Sequence, residues 1–99
     1  MTEAITEAQH QAAILELAQL TGWRWYHVPD SRRCPAGWPD LVLCRGDKLI
    51  FAELKTDKGR LRAAQEEWLD ALAQVRVVTV RVWRPRDWPE IERALGGRE

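Results

Sequence analysis

The amino-acid sequence predicts an α/β fold, a single domain with a mixed β-sheet flanked by helices. Three observations lead to this fold class. A length of 99 residues suits one compact domain. Hydrophobic residues make up 45% of the chain, enough for one core, while a charged fraction of 30% is typical of a folded protein surface. Stretches with helical spacing of apolar residues alternate with short β-rich stretches, in the order α-β-β-β-α-β-α.

The N-terminal third is predicted to form a helix and then a strand. The string TEAQ at 6–9 matches a capping box, in which a hydroxyl residue is followed three positions later by Gln. Apolar residues at 14–20 should line one side of this helix, and Gly22 is available for a left-handed cap. Residues 23–28 mix aromatic and β-branched side chains, which indicates a strand. Two prolines, a glycine and polar residues at 29–37 indicate a loop.

A β-hairpin is predicted in the middle of the chain. Residues 41–44 and 49–54 are short apolar runs, and the turn-type residues at 45–48 separate them. The two strands should therefore pair antiparallel. Cys44, at the end of the first run, is expected in the core.

A helix, a strand and a short helix are predicted to complete the domain. The helix over 60–73 carries apolar residues at helical spacing, and the valine-rich stretch 75–83 indicates the strongest strand. A helix between two strands allows this strand to lie parallel to the preceding one. The string RPR at 84–86 is interpreted as a solvated turn. Asp87 is expected to cap a last helix over 89–95.

Two short strings carry residues suited to catalysis. GWPD at 37–40 opens the first hairpin strand, and ELK at 53–55 closes the second. Since the start of one hairpin strand lies beside the end of the other, Asp40 and Glu53 are expected to approach each other. Strand alternation places Glu53 and Lys55 on the same face of the sheet.

A divalent cation would remove the repulsion between two such carboxylates. Hard oxygen ligands are what Mg²⁺ prefers, and the backbone carbonyl of Leu54 can add a third oxygen. Such an ion activates a water or offsets charge at a phosphoryl group, and Lys55 can assist in both. The alternative to a metal site is that Asp40 and Glu53 are two unrelated acidic residues on the surface. The placement of both strings at the ends of one hairpin argues against it.

The distribution of charge favours a nucleic-acid partner, although the net charge is zero. Residues 24–62 carry nine Lys or Arg against five Asp or Glu, and residues 1–22 carry three Glu and no basic residue. The catalytic strings therefore lie in the basic part of the chain. An ordinary solvated surface remains the alternative.

Over residues 6–83 the chain resembles the VRR-NUC proteins of the PD-(D/E)XK nuclease superfamily, in particular their small stand-alone phage and prophage members. The resemblance implies one restriction-endonuclease-like domain spanning 1–99. It rests on four strings in this order: TEAQHQ at 6–11, GWPDL at 37–41, FAELKT at 51–56, and RLRAAQ at 60–65 leading to Trp68 and Leu69.

The resemblance also implies roles for individual residues. Asp40 and Glu53 would bind Mg²⁺ or Mn²⁺ with help from the Leu54 carbonyl, and Lys55 would be the catalytic lysine. Glu7 would be a further acidic residue and metal ligand from the first helix, and Gln65 would support the catalytic site from the second. From the residues alone, two simpler interpretations stay open. A Glu in a first helical turn favours the helix dipole, and a glutamine at a helix boundary commonly bonds backbone.

Basic residues around the two strings are candidate DNA contacts. One group lies in the loop before the first string, and the other opens the second helix, whose N-terminus favours anions. A solvated loop is the alternative for the first group. The candidates are Ser31, Arg32, Arg33, Lys58, Arg60 and Arg62.

The predicted function is a Mg²⁺- or Mn²⁺-dependent DNA endonuclease. The resemblance implies action on branched DNA, such as four-way junctions, by a homodimer. The alternatives are a DNA-binding or assembly module without catalysis, a nuclease for linear, nicked or flapped DNA or for RNA, and a small metal-dependent phosphatase.

Several partners and environments are not expected. His10, His27, Cys34 and Cys44 lack zinc-ligand spacing, and no organic cofactor is expected. No apolar run approaches the ~20 residues that span a membrane. The polar N-terminus is unlike a secretory signal, so both cysteines are expected to be reduced thiols in a cytoplasmic protein.

Overall fold

The computed structural model describes residues 4–28 and 33–96, which form a four-stranded mixed sheet with helices on both faces. The strand order is β1-β2-β3-β4, with β1–β2 and β2–β3 antiparallel and β3–β4 parallel. The predicted fold class is confirmed. The elements are α1 (Glu7–Leu20), β1 (Arg24–His27), β2 (Leu41–Arg45), β3 (Lys48–Leu54), α2 (Ala63–Ala73), β4 (Val78–Trp83), a 3₁₀ turn (Pro85–Asp87) and α3 (Trp88–Gly96).

Two predicted element starts were wrong by three residues. The helix α2 begins at Ala63 and not at residue 60, because Arg62 has an extended backbone whose N–H donates to Gln65 Oε1. The strand β4 begins at Val78 and not at residue 75, because a turn closed by the Val78 N–H and the Val75 carbonyl follows α2. In both places a local hydrogen bond outweighs the residue preferences that predicted an earlier start.

The predicted cap of the last helix was also wrong. The Asp87 carboxylate accepts a hydrogen bond from the Arg84 N–H at 2.9 Å. This contact closes the 3₁₀ turn before the helix, and α3 itself begins at Trp88. Asp87 therefore shapes the connection between β4 and α3.

The main core lies between one face of the sheet and the helices α1 and α3. The expected capping box of α1 is present, since the Thr6 hydroxyl accepts from the Gln9 N–H and the Gln9 side chain accepts from the Thr6 N–H. Leu20, expected on the apolar side of this helix, is 77% exposed because α1 ends there. The buried cluster comprises Ile14, Ala18, Trp23, Leu41, Leu43, Ile50, Ala52, Leu54, Trp83, Ile91 and Leu95.

The opposite face of the sheet carries α2 and a small aromatic cluster. The ring of Trp38 meets Trp68 of α2 and Phe51 of β3 edge to face, with centroids 4.8 and 5.8 Å apart. The helix packs against β4, and this face is left open over β1 and β2. Cys44 is consequently exposed, and its predicted core position was wrong because Leu41 and Leu43 take the buried alternation of β2.

The two tryptophans near the C-terminal helix pack within the domain. Trp83 is completely buried in the core, and Trp88 packs against it. Both cysteines are free thiols. Among the helices of residues 4–28 and 33–96, none has the length and apolar character needed to cross a bilayer.

Candidate active site

The β2–β3 hairpin sets Asp40 beside Glu53. The register pairs Leu41 with Ala52, so the next position outward pairs Asp40 with Glu53. Two backbone contacts hold the aspartate. Its carboxylate Oδ2 accepts from the Leu54 N–H at 2.9 Å, and its carbonyl accepts from the Val28 N–H at 3.0 Å. Sequence analysis expected these two side chains to approach each other, and the structure places them at adjacent positions of the hairpin.

Glu53 is a buried carboxyl group with one satisfied and one orphaned oxygen. The residue is 2% exposed. Its Oε2 accepts from Gln65 Nε2 at 2.9 Å and lies 4.0 Å from Lys55 Nζ. Its Oε1 is buried and has no hydrogen-bond partner within the described part of the chain. A buried carboxylate oxygen without a donor is costly, so this atom requires either a proton shared with a neighbouring group or a cation.

The electrostatics of the site favour a proton on Glu53 when no cation is present. Burial raises the pKa of Glu53 to about 8 from an ordinary value of 4.5, and the adjacent Asp40 is the next largest cause. The charge of Glu7 acts in the same direction, and Lys55 opposes it. The two carboxyl groups are close enough for a hydrogen bond between them when one carries a proton.

These side chains line a cleft of about 490 Å³ at the end of the hairpin. Glu7 reaches it from the first turn of α1, while Arg62 and Gln65 reach it from the start of α2. No three His, Cys, Asp or Glu side chains in residues 4–28 and 33–96 come together closely enough to hold a metal ion. Glu7 is thus a wall residue of the cleft, and the carboxylates in immediate contact are the pair from the hairpin.

Gln65 connects the start of α2 to the carboxylate pair. Its Oε1 accepts from the Arg62 N–H at 2.8 Å, and its Nε2 donates to Glu53 Oε2 at 2.9 Å. The first contact determines the orientation of the amide, because only the oxygen can accept from the backbone. The amide NH₂ therefore faces Glu53.

Gly37 allows the segment that precedes β2 and carries Asp40 to approach the backbone of α2. Its φ is +87°, and a Cβ at this position would lie 2.3 Å from the carbonyl carbon and oxygen of Ala64 and 2.7 Å from the Gln65 nitrogen. The obstructing atoms are backbone, so a side chain fits only if α2 moves. The glycine of the GWPD string thus sets the distance between α2 and the carboxylate pair.

Gly37→Ala is expected to destabilise the protein by about 2–4 kcal/mol, because it combines backbone strain with overpacking. The matched control is Gly22→Ala. Gly22 has a similar φ of +82°, but a Cβ there would meet nothing within 4 Å in the described part of the chain. Chemical denaturation of both variants separates the two contributions. Equal destabilisation by both would contradict the close approach of Gly37 to α2.

The sequence-based interpretation missed the residues that hold the segment after Lys55. Arg84, expected in a solvated turn, is half-buried and donates to the carbonyls of Thr56 and Gly59 at 2.7 and 2.6 Å. Arg86 donates through its backbone and side chain to Asp57, at 3.0 Å in each case. The solvated-turn prediction was wrong because four hydrogen bonds fasten this turn to residues 56–59. The arginine-rich composition was the sequence signal, but its partners lie almost thirty residues earlier.

The carbonyl of Trp83 ties α1 to the strand end that carries Lys55. It accepts from the Lys55 N–H at 3.1 Å and lies 2.9 Å from Nε2 of the buried His10. Since Glu7 precedes His10 by about one helical turn, this contact keeps Glu7 near the cleft. The sequence offered no signal for this role of His10.

The candidate DNA contacts are dispersed around the cleft. Ser31 and Arg32 lie outside the described residues. Arg33, Lys58 and Arg60 are exposed, and Arg62 lines the cleft itself. Because α2 starts at Ala63, neither residue belongs to its first turn: Lys58 lies in the turn over 56–59, and Arg60 lies between that turn and the helix.

The site thus unites two carboxyl groups and a lysine in one cleft at the end of a mixed α/β sheet, which defines the class of nuclease-like α/β domains. The chain belongs to the VRR-NUC domain family, whose model matches residues 3–84. This membership confirms the resemblance inferred from the four sequence strings, and the fold is consistent with the PD-(D/E)XK superfamily.

Solved structures show the same fold. A protein described as a VRR_NUC domain protein is 22% identical, with a TM-score of 0.65 over 86% of this chain and 82% of that one. Hjc of Archaeoglobus fulgidus, described as a Holliday junction resolvase from an archaeal hyperthermophile, is 26% identical, with a TM-score of 0.52 over 77% of this chain and 65% of that one. No curated protein matches the chain significantly.

Proposed function

We propose that this protein is a divalent-metal-dependent DNA endonuclease that hydrolyses phosphodiester bonds at Asp40, Glu53 and Lys55. The observation that carries the proposal is the orphaned Oε1 of Glu53. It is a buried carboxylate oxygen without a donor, next to a second carboxylate, in an open cleft. A fold that places two acids in contact needs either a proton or a cation between them.

The donor set fits Mg²⁺ or Mn²⁺, with Asp40, Glu53 and the Leu54 carbonyl as protein ligands. When bound, such a cation polarises the phosphoryl group and lowers the pKa of a water. Lys55, 4.0 Å from Glu53 and 15% exposed, orients that water and offsets negative charge at phosphorus. Gln65 keeps the Glu53 carboxylate in place by donating to its Oε2, and Glu7 contributes negative charge from the cleft wall.

DNA is the proposed substrate, and branched DNA is the preferred form. Family membership supports a nuclease, and the fold shared with an archaeal protein described as a Holliday junction resolvase supports a junction. A domain of 99 residues offers little surface to a branched duplex. A symmetric homodimer would present two cleavage centres and join their basic surfaces, which include Arg33, Lys58, Arg60 and Arg62. Ser31 and Arg32 are included in the proposed DNA surface on sequence grounds alone.

The proposal is tested by cleavage of an end-labelled four-way junction with Mg²⁺ or Mn²⁺, beside linear, nicked and flapped duplexes of the same sequence. The wild-type protein should cut the junction with paired symmetric nicks. Asp40→Asn should lower the rate by about 10³-fold, because it removes one ligand carboxylate and weakens transition-state stabilisation. Asp47→Asn, at an exposed position in the hairpin turn, is the matched control.

Each outcome of this experiment separates the proposal from a rival. A wild-type protein that binds DNA but never cuts, with Asp40→Asn unchanged, would identify a binding or assembly module. Faster cutting of a linear, nicked or flapped duplex would assign a different DNA structure. Sedimentation measured with and without junction DNA tests the homodimer.

A further inference from the structure

The open half of the sheet face next to the cleft carries one exposed aromatic ring and one exposed guanidinium group. The register pairs Tyr26 with Val42 and Arg24 with Cys44, so these side chains lie on the same face as Asp40 and Glu53. Tyr26 is 59% exposed, and Arg24 and Cys44 are also exposed. Because α2 packs against β4, it leaves this part of the sheet uncovered.

The exposed groups of β1 form a row that leads out of the cleft. Val28 lines the cleft, Tyr26 follows on the same face, and Arg24 follows Tyr26. Alternate residues of a strand are about 7 Å apart, so each step is comparable to one nucleotide of an extended single strand. β1 is also an edge strand, so the row borders open solvent on one side.

The chemistry of the row matches nucleic acid without base pairing. A tyrosine ring offers a stacking surface for any base, and such stacking requires a base that is not enclosed in a duplex. The side chain of Arg24 has no hydrogen bond or ion pair to any other described residue, so its charge is available for a phosphate. The exposed side chains of β1 and β2 on this half of the face are those of Arg24, Tyr26 and Cys44. Arg24 gives this surface a positive charge, which is complementary to a phosphate backbone.

We propose that an unpaired strand next to the scissile phosphate runs along β1, with one base stacked on Tyr26 and a phosphate bound by Arg24. This inference rests on the proposed nuclease function and specifies its substrate class. The enzyme takes DNA whose nucleotides beside the cleavage point are unpaired, as where the bases of a junction open at its branch point or where a single-stranded arm leaves a duplex. A continuous duplex does not supply the base that Tyr26 contacts.

The test measures binding without cleavage. All variants carry Asp40→Asn, and dissociation constants are measured at one salt concentration for a continuous duplex and for the same duplex with a single-stranded arm. Tyr26→Ala should weaken binding of the armed duplex about fivefold or more and leave the continuous duplex unchanged, since a base–aromatic stack has about this worth. Tyr26→Phe should bind both as the parent does.

The neighbouring aromatic residue is the matched control. Trp25 is 38% exposed on the same strand, but its register partner Leu43 places it on the α1 and α3 face. Trp25→Ala should not change the preference for the armed duplex. Arg24→Gln should reduce the dependence of log affinity on log salt by about one unit, because one phosphate contact is lost.

Three results would overturn the proposal. If Tyr26→Ala has the same dissociation constants as the parent for both substrates, stacking of a base on Tyr26 is excluded. Equal losses for Tyr26→Ala and Trp25→Ala would show a general effect on folding. A change in molecular mass for Tyr26→Ala without DNA would assign the β1–β2 face to contact with a second copy of the chain. If the wild-type protein fails to cut while Tyr26→Ala still loses its preference for unpaired DNA, the nuclease proposal fails, and only the binding of an unpaired strand along β1 is retained.

Discussion

Glu53→Gln is expected to make the metal-free protein more stable at pH 8 than the wild type, and to abolish cleavage. Burial and Asp40 raise the pKa of Glu53 to about 8 in the folded state, against 4.5 for an ordinary glutamate. The folded protein therefore retains a proton that the unfolded chain has released. The stability that this proton contributes is complete below pH 4.5 and is lost as the pH rises through about 8.

The expected size of this effect is large for a small domain. Between pH 5 and pH 8 the wild type should lose about 3 kcal/mol relative to Glu53→Gln, which does not titrate. This loss corresponds to a difference in Tm on the order of 10 °C. Thermal unfolding in EDTA across this pH range measures it, with Glu67→Gln on the exposed face of α2 as the control. Parallel stability curves for wild type and Glu53→Gln would contradict the assigned environment of Glu53.

Divalent metal should reverse the effect in the wild type alone. The proposed cation would bind the ionised form of Glu53, so stabilisation by excess Mg²⁺ should increase with pH. Glu53→Gln lacks the charged ligand and should gain little. The stabilised variant would then be the inactive one, which is the trade-off expected when a functional site holds buried charge. Equal stabilisation of both proteins by Mg²⁺ would place the ion elsewhere.

Lys55→Met is expected to reduce cleavage by about 100-fold or more and to preserve metal-dependent stabilisation, because the proposed role of the lysine is to act on the reacting phosphate and not to bind the cation. Methionine retains the aliphatic length of a side chain that is 15% exposed, so the fold should persist. Single-turnover cleavage of the junction measures the chemical step, and thermal unfolding with Mg²⁺ measures binding of the cation.

The matched control for this prediction is Lys48→Met. Lys48 lies at the other end of β3, in the pair that closes the hairpin turn. The same substitution there should leave single-turnover cleavage within a few-fold of the wild type. Cleavage by Lys55→Met at a similar rate would exclude a catalytic role for Lys55. Loss of stabilisation by Mg²⁺ in Lys55→Met would instead indicate that the lysine shapes the metal site.

Much of the fold was predictable because its signals are local. The Thr6–Gln9 capping box begins α1 as expected. The turn at Gly46 joins two strands that were predicted from their short apolar runs. The central part of the site was also predictable, because its residues lie on this hairpin. Antiparallel register alone places Asp40 opposite Glu53, and alternation places Lys55 on the side of Glu53. These contacts join residues that are close in sequence, so they follow from strand geometry.

Other features depended on contacts between residues far apart in the chain. Arg84 resembled a solvated arginine, yet its partners are carbonyl groups at residues 56 and 59. Cys44 resembled a core residue, yet its side of β2 is uncovered because α2 packs elsewhere. The close approach of Gly37 to the α2 backbone likewise appears only when the helix is in place.

The sequence by itself determined the order of the elements, the family of the chain and the pairing of Asp40 with Glu53, because short-range spacing and strand alternation carry that information. Only the tertiary structure decided that Glu53 is buried with one oxygen unsatisfied, that Gln65 supports the other oxygen, and that Tyr26 and Arg24 lie on an open face beside the cleft. Burial and exposure are set by what packs on each face of the sheet, and the position of α2 determines this for the face that carries the site.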